Sequence, residues 1–474
     1  MLSRSVLYIA IICVHVVIAV AAAMHALLNK RDPRSAWGWI AVCWLFPFAG
    51  PTLYYLFGIN RIETLARRLQ GLQRPIDILR GKLTLPATGH GDATGIRELV
   101  RLGEALTGLP LTEGNHVVAL FNGEQAYPTM IEAIRGARRS VHLSSYIFRD
   151  DSIGVQFADA LSEARQRNVE VRVLLDGVAD AFYRPRGSAL LIRSGLKPAL
   201  FLPLRWFPPL FHINLRNHRK LLLVDDELAF TGGMNISADH LVNTPRKHRV
   251  EDVHFRIRGP VVQQMAAAFA ADWQFVTQEK PSTSELPLPA MGGAVARVIT
   301  DGPNQERDVL MLMLIGALAS AHQRVWIMTP YLVPGPALVS ALQAAALRGV
   351  DVSIILPKRS NQPWADYATR NLLAPLLQHE VHIYRRPPPF AHTKLFLIDD
   401  DYVQFGSANL DTRSLRLNFE LVVEAFDPEL VANLARHIEQ VRSRSAPLSL
   451  AEIEARSMPA RLRDAFFWLF SPYF

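Results

Sequence analysis

The sequence contains the same short motif twice, and each copy lies in the same surrounding pattern. The first copy spans residues 218–225 (HRKLLLVD) and the second spans residues 392–399 (HTKLFLID). In both copies a glycine and an asparagine follow 14 and 17 residues beyond the histidine. A repeat with matching downstream residues predicts that most of the chain is one structural unit that occurs twice.

Each motif copy is preceded by an apolar segment, a helical segment and a second apolar segment. The apolar segments are 140–148 and 169–176 in the first half, and 325–333 and 350–356 in the second. Long apolar strands separated by helices are typical of parallel strand pairs that helices cover on both faces. The pattern therefore predicts an α/β fold made of two tandem α-β-α halves with mixed sheets.

Changes in composition divide the chain further. A Pro-, Ser- and Gly-rich stretch between the repeats is typical of a linker, and an arginine-rich stretch precedes the first repeat. The predicted organisation is an N-terminal membrane segment (1–60), a connector (61–110), the first half (111–279), a linker (280–294), the second half (295–445) and an amphipathic, aromatic C-terminal tail (446–474).

Two stretches without Lys, Arg, Asp or Glu, residues 5–29 and 36–60, predict a transmembrane helical hairpin. Each is about 25 residues long, which is enough to cross a hydrocarbon core of about 30 Å, and aromatic residues stand near the ends. Residues 30–34 (KRDPR) between them allow only a turn. A cleaved signal peptide is the alternative, because residues 21–23 (AAA) resemble a cleavage site, but a second apolar stretch follows directly.

The charges beside these stretches predict the orientation of the chain. Three Lys or Arg residues lie in the turn, whereas six lie outside the hairpin, at Arg4 and between Arg61 and Arg80. Because positive charge is retained in the cytoplasm, this balance favours a multi-pass protein with both ends of the hairpin, and the two repeated halves, on the cytoplasmic side.

Composition restricts the classes of partner. Half of the residues are hydrophobic and 20% are charged, with 51 Lys and Arg against 43 Asp and Glu, a net charge of +8. A basic balance suits nucleic acid and anionic lipid equally. The only cysteines, Cys13 and Cys43, are too few for a disulfide framework or a cysteine-ligated metal site.

The histidine and lysine of each motif copy are two residues apart. On an extended strand this spacing directs His218 and Lys220 to one face, and His392 and Lys394 likewise. Histidine suits both a nucleophile and a general acid–base group near neutral pH, and lysine supplies compact positive charge for an oxyanion. These four residues are the predicted catalytic groups, and their charge allows a phosphodiester to be handled without a metal or cofactor.

The apolar run after each lysine predicts a hairpin. Asp225 and Asp399 stand where the motif strands turn, and the returning strands would bring Asn235 and Asn409 back beside the histidines. An amide at that place can donate to an oxyanion. Both aspartates stay catalytic-site candidates as motif members, although an odd number of residues separates each from its histidine and a straight strand would turn it to the other face.

The motif copies, and residues 406–420 after the second copy, resemble the motifs that define the phospholipase D superfamily. With the N-terminal membrane segment, the whole chain is similar to the bacterial cardiolipin synthases of that superfamily. The resemblance implies a phosphohistidine on His218, with His392 as acid and base. It implies that four residues bind the phosphate: Lys220, Lys394, Asn235 and Asn409.

The same resemblance points to supporting residues. Glu420 is a candidate to orient a catalytic imidazole, and Ser407 offers a hydroxyl contact next to the asparagine. The first half has a glycine at the place of Ser407, so the hydroxyl is missing there. The counterpart of Glu420 in the first half stays open between Glu251 and Asp252.

Three features favour lipid over nucleic acid: the membrane segment, an apolar and aromatic stretch at 202–211, and the tail, in which arginines precede aromatic residues. Packing against the catalytic halves is the alternative for the last two. The resemblance implies transfer of a phosphatidyl group between two phosphatidylglycerol molecules, with release of glycerol, at the bacterial inner membrane. The alternatives are a membrane-bound phospholipase D hydrolase and a membrane-tethered nuclease; the sequence assigns no oligomeric state.

Overall fold

The structure is a computed structural model that forms two compact units, residues 1–68 and 69–474. Several predicted segments lie partly outside the described residues, namely the connector, the linker, the 202–211 stretch and the end of the tail. The described residues are 4–30, 33–58, 93–203, 215–279, 281, 287–302 and 308–471.

In the N-terminal unit, the first predicted membrane span is a helix and the second is not confirmed. Helix α1 (Arg4–Asn29) has 26 residues, and among the described residues it is the one helix long and apolar enough to cross a bilayer. Helix α2 (Pro33–Leu45) ends after 13 residues, which reach only about 20 Å. A short helix α3 (Ala49–Leu53) and a π-helical turn (Tyr54–Gly58) follow.

The chain turns back inside the predicted second span. Phe48 has a φ of 58°, and a Cβ on Gly50 would lie 2.1 Å from a carbonyl oxygen of α2. Tyr54 then lies beside α1 and the middle of α2 again, with its hydroxyl 2.8 Å from His25 Nδ1 and its ring centroid 5.4 Å from that of Trp39. Residues 39 and 54 would be about 22 Å apart on a straight helix, so the chain reverses its direction between α2 and α3.

The second unit is built on one mixed sheet of fifteen strands to which the two halves contribute in the same order. The strands of the first half are β1 (Thr112–Phe121), β2 (Ser140–Ser145), β3 (Glu170–Asp176), β4 (Ala199–Phe201), β5 (Leu221–Val224), β6 (Leu228–Gly232), β7 (Val250–Glu251) and β8 (Val253–Arg258). Counted from the centre of the sheet outward, their order is β1-β8-β6-β5-β2-β3-β4.

The second half repeats this arrangement. Its strands are β9 (Ala294–Asp301), β10 (Arg324–Met328), β11 (Leu332–Val333), β12 (Asp351–Pro357), β13 (His382–Arg386), β14 (Phe390–Ala391), β15 (Leu395–Ile398), β16 (Tyr402–Gly406), β17 (Leu410–Asp411), β18 (Glu420–Phe426) and β19 (Ala446–Pro447). Counted from the centre outward, their order is β9-β18-β16-β15-β10-β12-β13, with β19 at the edge, and β9 lies next to β1. Strands β2 and β3 run parallel, as do β10 and β12, whereas the motif hairpins β5–β6 and β15–β16 are antiparallel. The predicted tandem α/β halves with mixed sheets are confirmed.

Helices cover both faces of the sheet. Aspartates at the N-caps of three helices accept hydrogen bonds from backbone N–H groups, which fixes where those helices start: Asp151, Asp176 and Asp427. The helices are α4 (Ala93–Thr107), α5 (Asn122–Gly136), α6 (Ser152–Gln166), α7 (Gly177–Phe182), α8 (Gly187–Arg193), α9 (Val261–Thr277), α10 (Val309–Ser320), α11 (Pro336–Leu347), α12 (Pro363–Leu377), α13 (Pro428–Ser443), α14 (Leu450–Glu454) and α15 (Met458–Trp468).

Side chains of β2 point alternately to the two faces of the sheet, and their contacts show which helices cover each face in the first half. Val141 and Leu143 belong to the apolar core that contains residues of α5 and α6. His142 points to the other face, where its ring stacks on Phe269 of α9 with centroids 4.9 Å apart. Helices therefore lie above and below the sheet, and the ends of the strands are covered by the loops that follow them.

A buried ion pair lies where the two half-sheets join. Arg297 of β9 donates from Nε to Oε1 of Glu424 on β18 at 2.6 Å, and both side chains are fully buried. The Tyr402 hydroxyl donates to the other carboxylate oxygen at 2.9 Å. Arg297 also donates to the carbonyls of Val100 and Leu109, so the pair ties the segment before β1 to the sheet.

We expect Glu424→Leu to lower the free energy of unfolding by about 3–5 kcal/mol, because it leaves a buried guanidinium without its carboxylate. The double variant Arg297→Met/Glu424→Leu should regain part of that loss, since neither charge is then buried alone. Urea titration of the detergent-solubilised protein measures both. A double variant that is less stable than the single one would contradict this account.

Candidate active site

The two motif copies meet at one cavity. His218 and Asn235 of the first half line it together with His392 and Asn409 of the second, and its volume is about 430 Å³. The four side chains lie at the edge of the sheet where β2 and β10 end, because each motif hairpin returns its asparagine to the level of its histidine. The predicted convergence of the two copies is present.

Each imidazole is held by a carboxylate from the opposite half. His218 Nδ1 lies 3.0 Å from both carboxylate oxygens of Glu420, and His392 Nδ1 lies 2.8 Å from Oδ2 of Asp252. Asp252 is therefore the counterpart that the sequence left open, whereas the Glu251 carboxylate pairs with Arg386. In both imidazoles this contact keeps a proton on Nδ1, and Nε2 is the nitrogen that points away from the carboxylate.

Backbone hydrogen bonds produce this exchange. The N–H of His218 donates to the carbonyl of Phe419 at 3.0 Å, and the N–H of His392 donates to the carbonyl of Glu251 at 2.8 Å. Strand β14, just before His392, pairs in parallel with β7 of the first half. Each motif thus begins as a short strand in the other half, which brings the next carboxylate of that half beneath its imidazole.

The lysines lie beside their histidines. Lys220 donates from Nζ to the carbonyl of His218 at 2.7 Å, and Lys394 Nζ lies 3.0 Å from His392 Nε2. Burial lowers the pKa of Lys220 to about 7, with Glu420 opposing and Lys394 adding to the effect. Burial likewise lowers the pKa of Lys394 to about 8. Two buried ammonium groups a short distance apart favour a bound anion, which would restore both pKa values.

The two carboxylates differ in their ionisation. Burial by itself would raise the pKa of Glu420, but His218 and Lys220 outweigh it and the pKa is lowered. For Asp252, burial dominates over the charge of Lys394 and the pKa is raised. Burial lowers the pKa of His218 to about 4, against the attraction of Glu420, so the imidazole is neutral at pH 7.

Asparagine and serine complete the cavity and its support. Asn235 accepts a hydrogen bond from the backbone N–H of Ile147 at 3.2 Å, and Asn409 donates to the Ser414 hydroxyl at 3.2 Å. Ser407 donates to Oε2 of Glu420 at 2.5 Å, so its hydroxyl supports the carboxylate.

The first half supports its carboxylate differently. Gly233 occupies the position equivalent to Ser407, and a Cβ there would lie 2.5 Å from a carboxylate oxygen of Asp252. A side chain therefore has no room at this position, and Oδ1 of Asp252 accepts instead from the backbone N–H of Val253 at 2.9 Å.

The structure does not bring Asp225 and Asp399 to the cavity. Both lie at the far ends of the motif strands with φ of 56° and 49°. The Asp225 carboxylate accepts from the backbone N–H groups of residues 138–140, and that of Asp399 from those of residues 322–324. Each aspartate thus joins the motif hairpin to the start of the neighbouring strand, which is a structural role.

Comparison with known proteins agrees with this arrangement. A family described as "Cardiolipin synthase, PLD-like domain" matches residues 130–273 and 314–442. The chain belongs to the cardiolipin synthase family of the phospholipase D superfamily. A second family, described as phospholipase D-nuclease N-terminal, matches residues 17–58. The resemblance drawn from the motifs is therefore confirmed.

Relatives of this family align along most of the chain. Cardiolipin synthase A of Pseudomonas aeruginosa is 32% identical over 432 residues, which are 89% of this chain and 87% of that protein. A probable cardiolipin synthase of Bacillus subtilis is 28% identical over 475 residues, with 99% and 94% covered. Among solved structures, phosphatidylserine synthase of Haemophilus influenzae has a TM-score of 0.62 at 15% identity, with 80% of this chain and all of that chain covered, which shows a shared fold.

Three residues of this cardiolipin synthase family member were not singled out from the sequence. The ring of Tyr146 lies 4.9 Å from that of His218 and 5.2 Å from Lys220 Nζ. His240 lies 6.3 Å from His392 between ring centroids, and Asn418 donates to Oε1 of Glu420 at 3.2 Å. The register of the two halves places Pro330 at the position of Tyr146, so the repeat holds no signal for this tyrosine, although Tyr331, one residue further on, also lines the cavity.

Matched substitutions distinguish positioning from structural carboxylates. We expect Glu420→Gln to lower kcat about 10- to 100-fold, because an amide no longer holds His218 as an ionised carboxylate does. Asp225→Asn should keep kcat per folded molecule within about threefold and lower the free energy of unfolding by about 1–3 kcal/mol, through the lost N–H contacts. Rates normalised to folded protein, with urea titration, measure both. The reverse pattern would make Asp225 the positioning residue.

The lysine pKa values predict a pH dependence. A lysine is charged below its pKa, and only the charged form attracts an oxyanion, so binding weakens as pH rises through about 7 for Lys220 and about 8 for Lys394. We expect kcat/KM, which reports the free enzyme, to fall across this range. Initial rates from pH 6 to pH 9 in mixed micelles test this, and a rise of kcat/KM between pH 7 and pH 9 would contradict it.

Proposed function

We propose that the protein is a cardiolipin synthase that transfers a phosphatidyl group from one phosphatidylglycerol to another and releases glycerol. The observation that carries the proposal is a pair of imidazoles on one cavity, each with a lysine beside it and a buried carboxylate on Nδ1. That set matches two-step transfer of a phosphodiester. The names of the relatives in Pseudomonas aeruginosa and Bacillus subtilis support cardiolipin as the product.

In the first step His218 attacks the phosphorus of the donor lipid through Nε2. A phosphorus–nitrogen bond forms, and the bond from phosphorus to the oxygen of the glycerol headgroup breaks. Burial and Lys394 hold the pKa of His392 well below its usual value, so the proton on Nε2 comes with the bound phosphodiester anion, which favours the charged imidazole. The departing oxygen takes that proton, and glycerol leaves as a neutral alcohol. Lys220 and Lys394, with the two asparagine side chains, stabilise the charge on the non-bridging oxygens.

In the second step the acceptor replaces the histidine. His392, now neutral at Nε2, takes the proton of a primary hydroxyl on a second phosphatidylglycerol. The hydroxyl oxygen attacks phosphorus, the phosphorus–nitrogen bond breaks, and cardiolipin leaves with His218 neutral again. Aromatic side chains that line the cavity, including Tyr331 and Phe390, support the exclusion of competing water.

Two contacts support His218 as the nucleophile. Its carboxylate partner, Glu420, has a lowered pKa and stays ionised, which makes the imidazole more basic and more nucleophilic. His392 Nε2 is in contact with Lys394 Nζ. An ammonium group beside Nε2 suits a general acid–base residue better than a nucleophile. When a phosphate attracts the ammonium, His392 Nε2 becomes available to the leaving oxygen.

We propose further that the catalytic unit faces the cytoplasm of the bacterial inner membrane and that the chain crosses the bilayer once. A re-entrant α2–α3 pair returns the chain to the side of the turn at residues 30–34. That side then carries eight Lys or Arg residues close to the membrane, through residue 80, and the other side carries only Arg4. Positive charge in the cytoplasm thus supports this orientation more strongly than it supports a hairpin.

The product distribution tests the activity. Purified protein in micelles with phosphatidylglycerol as the sole lipid should form cardiolipin and glycerol in equal amounts. Phosphatidic acid as the main product would make the protein a hydrolase. Neither product, together with cleavage of single-stranded DNA, would make it a nuclease.

The roles of the histidines are separable. We expect His218→Ala to abolish a trapped phosphoenzyme, and His392→Ala to accumulate one while turnover falls by at least about 10³-fold. Reaction with labelled phosphatidylglycerol, quenching with dodecyl sulfate at neutral pH, where the phosphorus–nitrogen bond survives, and gel separation measure the adduct. An adduct that needs His392 and not His218 would exchange the two roles.

Single-cysteine labelling tests the topology. In a Cys13→Ala/Cys43→Ala background, Ser3→Cys should react with a membrane-impermeant maleimide in intact spheroplasts, whereas Gln166→Cys should react only after permeabilisation. A transmembrane hairpin would protect both positions in intact cells.

A further inference from the structure

Two equivalent segments form the lips of the active-site cavity. In each half the second parallel strand ends and the chain continues along the cavity: β3 leads into α7 and then Tyr183, and β12 leads into residues 358–362 and α12. Tyr183 lines the cavity on one side, and Trp364 lines it on the other. The lips therefore face each other across the site, one from each half.

Both lips expose a large aromatic side chain beside basic residues. Phe182 is 73% exposed and Trp364 is 49% exposed. Exposed aromatic side chains at matching places are unlike the scattered apolar residues of an ordinary surface. We call six exposed residues the cleft rim: Phe182, Arg184, Arg186, Lys358, Arg359 and Trp364.

The C-terminal helix extends the same surface. Helix α15 packs on α12: Arg456, just before α15, donates to the carbonyl of Arg370, and Phe467 packs on Tyr367 with ring centroids 5.4 Å apart. The C-terminal end of α15 thus lies toward the first turns of α12, which belong to the lip. Exposed apolar side chains of α15 include Leu462 and Phe466, and Leu469 and Phe470 follow directly after the helix.

We propose that the cleft rim docks on an anionic phospholipid bilayer and holds the mouth of the cavity at the lipid surface. Aromatic side chains partition to the interface of a bilayer, and Lys and Arg beside them attract anionic headgroups. The rim combines both on each lip, and the same chain carries a helix that is long and apolar enough to cross a membrane. The purpose of docking rests on the proposed function, since a lipid substrate must leave the bilayer to reach a buried histidine.

A spin-label measurement tests the contact directly. The full-length protein, with Cys13→Ala and Cys43→Ala, is labelled with a nitroxide at Phe182→Cys and reconstituted in vesicles of phosphatidylglycerol and phosphatidylcholine. The accessibility ratio of oxygen to a nickel chelate should place the label within the bilayer interface. A control label at Gln166→Cys, exposed at the other end of the sheet, should stay aqueous. Two aqueous labels would overturn the proposal.

An activity measurement separates docking from chemistry. The variant Phe182→Ser/Arg184→Gln/Lys358→Gln/Arg359→Gln changes four exposed side chains that do not line the cavity. Its rate on bilayer phosphatidylglycerol should fall at least about fivefold, while its rate on a monomeric short-chain phosphatidylglycerol stays within about twofold of the unchanged protein. Equal losses on both substrates, or none on either, would overturn the proposal.

The two proposals fail in different ways. If the unchanged protein forms cardiolipin from neither substrate, the proposed function fails, and the spin-label depth still decides whether the rim contacts the bilayer. If cardiolipin forms at equal rates in the variant and the unchanged protein on bilayers, the function stands and the docking surface is wrong.

Discussion

The contacts between each imidazole and a carboxylate of the other half determine both the assembly of the catalytic unit and its chemistry. Glu420 reaches His218 only because the chain before it hydrogen-bonds to the first motif, and Asp252 reaches His392 in the same way. A shift of one half against the other would therefore disturb both imidazoles at once. The continuous sheet, joined through β1 and β9, provides the rigidity that such paired contacts need.

Most of the fold and the centre of the site could be predicted from the sequence because their signals are local and occur twice. The spacing of His218 and Lys220 follows from the period of an extended strand, and the apolar runs after the lysines form the predicted hairpins. Repetition supplied what a single copy lacks, since a lone histidine two residues from a lysine is common on protein surfaces.

The features that sequence reasoning missed or misjudged depend on contacts distant in the chain. Hydropathy gives the length of an apolar stretch but not the turn at Phe48, which depends on the packing of Gly50 against α2. The choice of Asp252 over Glu251 depends on tertiary contacts, because the Glu251 carboxylate pairs with Arg386 whereas that of Asp252 contacts His392. Asp225 belongs to the motif, yet its backbone contacts lie some 86 residues away in the sequence.

The exchange of carboxylates also limits how this chemistry can be divided among polypeptides. A chain that contained one half would hold a histidine and a lysine but would lack the carboxylate that orients the imidazole. Its own carboxylate would have no imidazole to orient. Two such chains could regain function only as a pair with near twofold symmetry. Divergence at Gly233 and Ser407 shows what covalent linkage permits: the two imidazoles are free to specialise, because a fused pair need not remain identical.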